Sequence, residues 1–118
     1  STKLIYYTNA LLRFSVKYSA QYRDQLNELK TFEQLDKYFD KNDGIIEQKF
    51  WEFVAKTIPQ IKPTAKEKRD NREFLKYELR AIIGRTTPLD ENAFMYLYRP
   101  VDKPFMKAVE SIRTDAAN

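Results

Sequence analysis

Leu4, Tyr7, Leu11, Phe14, Tyr18, Tyr22, Leu26 and Leu29 recur at intervals of three and four residues. That spacing puts side chains on one face of an α-helix. Nothing between residues 3 and 30 breaks such a helix, because the segment holds neither glycine nor proline. The pattern predicts one helix about 40 Å long at 1.5 Å per residue. Leu12 and Val16 widen the apolar stripe, as expected of a core-facing helix and not of a narrow coiled-coil seam. The rest of the chain agrees: 118 residues contain two glycines and five prolines, too few for the many tight turns of a β-sandwich or barrel.

The remaining elements follow from caps and stops. Thr31 with Gln34 three residues on forms a capping box that opens a short second helix carrying Phe32, Leu35, Tyr38 and Phe39. It is expected to end at Asn42 to Gly44, residues that tolerate the left-handed conformation. A third helix runs from Ile45 to about Ile58, with Ile46, Phe50, Phe53 and Val54 on one face and Trp51 beside them. Pro59 and Pro63 stop it, since residues before proline avoid the helical region. Thr64 and Glu67 make a second capping box, opening a fourth helix that continues to Gly84. Thr87 followed by Pro88 starts a fifth, covering LDENAFMYLY and ending before Pro100. A sixth begins near Lys103 and buries Phe105, Met106, Val109 and Ile112, ahead of a fraying tail at residues 114–118. The expectation is one all-α domain over residues 1–118, a bundle of five to six helices with a long N-terminal one. The alternative is α+β, with short strands near 45–54 and 93–101, where β-branched and aromatic residues are dense.

Several functions are excluded by residue type. The chain has no cysteine and no histidine. Thiolate nucleophiles, disulfides, the commonest general base and the usual zinc, copper and iron ligands are therefore absent. The only glycines are Gly44 and Gly84, so no glycine-rich phosphate loop exists. No apolar run approaches the roughly 20 residues that cross a bilayer, and STKLIYYTNALLRF lacks the pattern of a signal peptide. These features lead us to expect a cytoplasmic protein with no cofactor, no metal and no catalytic role. The carboxylate pairs Asp36 and Asp40, Glu47 and Glu52, and Asp90 and Glu91 carry no sign of facing one another across a cleft, as acid–base chemistry requires.

FDKNDGIIEQKFW resembles a calcium loop and fails as one. With Gly44 at the sixth position, Phe39, Lys41 and Phe50 occupy ligand positions. Starting from Asp40 instead, the glycine falls one place early and Trp51 stands where the bidentate glutamate belongs. A helix–turn–helix junction is the expected structure; the alternative is the remnant of an ion site using Asp40, Asn42, Asp43 and Glu47.

The leading functional feature is basic. Arg69, Arg72, Lys76 and Arg80 lie in a narrow arc of the expected fourth helix, opposite Leu75, Leu79, Ile82 and Ile83. A cationic stripe suits a phosphate backbone, because each neutralised phosphate releases a condensed counterion. Glu67, Asp70, Glu73 and Glu78 interleave with it, which equally describes a solvated face with local ion pairs. Tyr98 and Arg99, with Tyr96, are candidates for stacking on unpaired bases; so are Tyr6, Tyr7, Tyr18 and Tyr22, if exposed. The expected function is a binding module that associates with DNA or RNA through Arg69, Arg72, Lys76, Arg80, Tyr98 and Arg99. The alternative is a protein–protein interaction domain, adaptor or regulatory, that presents an apolar face.

Overall fold

The periodic stripe of the N-terminal segment forms α1 (Thr2–Gln21) in the computed structural model, which describes residues 2–100, with side chains from Tyr7 onward. Tyr7, Leu11, Phe14 and Tyr18 are buried as their spacing implies. The helix does not run on to residue 30. It bends at Tyr22 (φ −108°, ψ 26°) into the single turn α2 (Arg23–Leu26). No breaker residue is involved, and the ladder persists through the bend, with Tyr22 N–H bonded to the Tyr18 carbonyl and Leu26 N–H to that of Tyr22. A straight helix would carry Leu29 about 12 Å beyond Gln21; the bend turns Leu26 and Leu29 back into the core, where both are buried. Leu12 and Val16 do not widen the buried stripe. They are exposed, because the described elements cover α1 on one side only.

The capping box at Thr31 is present: its hydroxyl accepts the Gln34 N–H at 3.1 Å, and the Gln34 side chain accepts the Thr31 N–H at 3.1 Å. It opens α3 (Phe32–Thr57), 26 residues without interruption. The expected turn at Asn42 to Gly44 does not occur, so the second and third expected helices are one. The buried stripe Leu35, Phe39, Ile46, Phe50 and Val54 explains this. Phe39 and Ile46 are seven residues apart, about two turns, so both halves face the core in phase. The Asn42 amide donates to the Tyr38 carbonyl at 2.7 Å, a bond that a continuing helix accommodates.

After the proline-bounded connector, the Thr64–Glu67 box opens α4 (Ala65–Asp70). A break at Asn71 (φ −104°, ψ 4°) separates it from α5 (Arg72–Gly84), where one continuous helix was expected. The Asn71 amide donates to the Glu67 carbonyl at 2.8 Å, tightening this junction. Thr87 does not start the last described helix. It is buried, and its hydroxyl donates to the Gly84 carbonyl at 2.6 Å, so it ends α5. The next helix, α6 (Glu91–Leu97), begins after Asp90, whose φ of 51° with ψ of −127° lies outside the left-handed helical well and is a conformation that non-glycine residues rarely adopt. Residues 45–54 and 93–97 are thus helical, and no strand occurs among the described residues, which excludes the α+β alternative. The sixth helix expected near Lys103 and the tail at 114–118 lie outside the described residues. No described helix is long and apolar enough to cross a membrane.

The core lies where α1, α3 and α5 meet, with α6 laid on α5 and touching α3. Phe39, Phe50, Phe74, Leu35, Leu75 and Ile83 are fully enclosed. Phe14 meets Phe50 edge-on at 5.6 Å and Tyr7 meets Trp51 at 6.2 Å, geometry that aromatic quadrupoles favour. The Tyr18 and Tyr38 hydroxyls pair at 2.6 Å. At Gly84 a β-carbon would stand 2.5 Å from Leu97 Cδ1, whereas at Gly44 it would meet nothing within 4 Å. Gly84 is the close approach that lets α6 pack on α5.

The two glycines should respond oppositely to alanine. Gly44→Ala is expected to stabilise by about 1 kcal/mol, the helix-propensity difference, and Gly84→Ala to destabilise by about 1 kcal/mol through overpacking. Urea titration of both variants checks the signs. A second expectation concerns alkali. Burial, with the Glu67 charge, raises the Tyr7 hydroxyl to about 12. Burial and the shared hydrogen bond with Tyr38 raise Tyr18, and burial raises Tyr38 against the opposing effect of that bond. A raised pKa means the folded state holds these protons more tightly. Stability should therefore be complete below the ordinary tyrosine value near 10 and fall as pH rises through the raised values. Absorbance titration should show these tyrosines ionising together with loss of helical dichroism.

Candidate nucleic-acid interface

The structure divides the expected basic stripe. Arg69 sits on α4, ahead of the break at Asn71, and Arg72, Lys76 and Arg80 sit on α5. Arg80 belongs to the interior, with 8% of its surface exposed. Its Nε donates to Asp43 Oδ1 at 3.0 Å, and its Nη2 donates to Asp40 Oδ1 at 2.9 Å and to Asp43 Oδ2. The guanidinium also lies 5.8 Å from the rings of both Phe39 and Tyr77. Burial alone would lower its pKa, but the bonds and charges of Asp43 and Asp40 outweigh this and hold it above the ordinary arginine value. Arg80 is therefore a link between α5 and α3, unavailable to an outside phosphate. This corrects its place in the stripe.

Arg72 is half-exposed, and its Nε bonds both Glu47 oxygens, at 2.8 and 3.2 Å. Lys76 lies 5.2 Å over the Tyr77 ring. Arg99, from the chain beyond α6, reaches the same ring at 5.2 Å, with Nη1 3.5 Å from its hydroxyl. Tyr77, which the sequence did not single out, is the point where Lys76, Arg80 and Arg99 converge. Tyr98 is half-buried and stacks on Phe94 at 5.7 Å, while its neighbour Arg99 is exposed. Arg69, Lys76 and Arg99 have no carboxylate partner among the described residues, in contrast to Arg72 and Arg80.

The other tyrosines are mostly engaged. Tyr7 and Tyr18 are buried, so they offer no ring to a base. Tyr96 stacks on Phe32 at 4.2 Å and donates to Asp36 at 2.6 Å. The remnant of the ion site is also occupied by the protein's own cations. Asp40 and Asp43 hold Arg80, and Glu47 holds Arg72 and accepts from Trp51 Nε1 at 3.3 Å. No group of three potential metal ligands occurs among the described residues. Between α3 and α5, a groove of about 180 Å³ runs past Gly44, walled by Ile46, Leu75 and Leu79 and by the Arg72 and Arg80 ion pairs.

A second set of cations escaped sequence reasoning. Lys17 on α1 and Lys49 and Lys56 on α3 line the cleft between these helices together with Phe53, whose ring also lies 5.9 Å from Arg13. Each is visible as a basic position on its own helix. Their meeting depends on how α1 packs against α3.

Arg80→Ala would leave Asp43 without its partner at the α3–α5 contact. The expected loss is about 2 kcal/mol in urea denaturation. This is less than the 3–5 kcal/mol typical of a fully buried pair, because Asp40 is largely exposed and water screens it. Arg80→Lys should recover little of the loss, since an ammonium cannot reproduce the guanidinium fork.

No curated protein and no solved structure matches the chain. One family model matches residues 2–87, a span that takes in α1 to α5 and includes Arg69, Arg72, Lys76 and Arg80, while α6, Tyr98 and Arg99 lie beyond it. By that match the chain belongs to a family of unknown function, DUF8443.

Proposed function

We propose that the chain is a non-enzymatic binding module that associates with DNA or RNA through the α4–α5 side. The observation that carries this reading is the group Arg69, Lys76 and Arg99, cations that no carboxylate neutralises among the described residues. Two of them are held against the Tyr77 ring. Arg72 can join them. An exposed ion pair contributes at most about 1 kcal/mol, so exchanging Glu47 for a phosphate costs little. The mechanism is contact with the phosphate backbone, which positions the protein without reading sequence. The non-enzymatic reading rests on the missing histidine and cysteine and on the engagement of Asp40, Asp43 and Glu47 with arginines. The cytoplasm is the compartment proposed with it.

A protein–protein reading, as an adaptor or regulatory domain, is favoured by one observation. Leu12 and Val16 lie a turn apart on the outer face of α1, 51% and 71% exposed. The two readings differ in their response to salt. Three phosphate contacts predict a slope of about −2.7 in log affinity against log salt on duplex DNA, or about 40-fold weaker binding at 200 than at 50 mM. Fluorescence anisotropy on labelled DNA and RNA measures this. Lys76→Ala and Arg99→Ala should each reduce the slope by about one. Absence of binding at low salt would remove the nucleic-acid reading and leave the protein partner.

A further inference from the structure

We infer that the cleft between α1 and α3 is a separate anion site that takes a phosphate group. α1 contributes Lys17, with Arg13 one turn before it against the Phe53 ring, and α3 contributes Lys49 and Lys56, two turns apart. The floor is aromatic: Phe14 and Tyr18 are buried and Phe53 is half-buried. Arg13 and Lys17 each lie 5.9 Å from the Phe53 ring, and Lys49 lies 5.8 Å from that of Tyr22. These contacts hold the long side chains around the cleft with no anion present.

The cations at this cleft are not consumed by internal ion pairs. Lys37, Lys66, Arg72, Arg80 and Arg85 each have a carboxylate within salt-bridge distance. Arg13, Lys17, Lys49 and Lys56 have none among the described residues. The one acid in the cleft is Glu52, and it accepts from Gln48 on its own helix at 3.3 Å. Three lysines in the lining against one carboxylate leave a surplus of two charges, with Arg13 held against the Phe53 ring beside them. Like charges around a low-dielectric floor concentrate the field on an incoming anion.

The size and donor set select the anion. The cleft holds about 180 Å³, room for about six waters at 30 Å³ each and below the roughly 300 Å³ at which sites for drug-sized ligands begin. A phosphate group suits it better than a carboxylate, because it brings up to two negative charges and three acceptor oxygens to three ammonium groups. The site is independent of the one around Tyr77. Lys49 is two residues from Glu47, about 200° around α3, so the two sites lie on opposite flanks of that helix. The phosphate has two possible sources, a free phosphate compound or a nucleic-acid backbone.

The test is an amide chemical-shift titration of the full chain with inorganic pyrophosphate. It uses the wild type, a Lys17→Glu/Lys49→Glu variant and a Lys76→Ala/Arg99→Ala variant. The expected result is movement of the Lys17, Lys49, Phe53 and Lys56 amides. Affinity should drop about tenfold or more on charge reversal, as for loss of one charge-assisted hydrogen bond, and stay unchanged in the Lys76→Ala/Arg99→Ala variant. Should charge reversal disturb the fold, as seen by circular dichroism, Lys17→Ala/Lys56→Ala replaces it. Equal affinity in wild type and cleft variant, movement centred on Tyr77, or absence of binding at low salt overturns the proposal. Adding an oligothymidylate then identifies the source. Displacement of pyrophosphate from the cleft supports the site as one for backbone phosphate, and retention supports it as one for a free phosphate compound.

Discussion

The continuity of α3 through Asn42, Asp43 and Gly44 is the constraint on which the rest of the structure depends. Taken locally, these three residues favour a helix end. The tertiary structure offers them a different arrangement, in which Asp43 and Asp40 embrace Arg80 from α5 while Phe39 and Ile46, either side of the triplet, enter the same core. Unpaired, the buried guanidinium would be costly, so α5 and α3 have one favourable register. Most of the stabilisation comes from the buried rings and aliphatic side chains around this link. The link decides which way the rings face.

A 26-residue helix with a single buried stripe has two flanks, and the chain uses both. On one flank α5 closes over Ile46, and Glu47, Asp43 and Asp40 neutralise Arg72 and Arg80. On the other, α1 brings Lys17 beside Lys49 and Lys56, with little acid to balance them. One helix type with one composition therefore gives an electrically satisfied seam on one side and a positive cleft on the other. The difference lies in which carboxylates the packing brings within reach. Sequence proximity does not decide it, since the partners of Arg80 are 37 and 40 residues away.

The candidate site around α5 was partly legible. Arg69, Arg72, Lys76 and Arg80 were readable as one basic arc, and Lys76 and Arg99 do converge, on Tyr77. Arg80 was misplaced because periodicity sees one helix at a time. On α5 its angle is that of a rim residue, and only the two aspartates of α3 draw it inside. The split at Asn71 was missed for a related reason: asparagine inside a helical pattern carries no stop signal as strong as glycine or proline.

What the sequence determined by itself is local: helix type, the buried stripes of α1, α3 and α5, and the two capping boxes at Thr31 and Thr64. Each depends on residues within a few turns of one another, and the helical period is a property of the backbone alone. Only the tertiary structure decided that α1 bends at Tyr22, that two expected helices are one, and that Leu12 and Val16 face outward. It likewise decided which arginine is a structural link and which cations remain outward. Those outcomes depend on burial and on charges brought from far along the chain, and the free energy of a charge is set by what surrounds it.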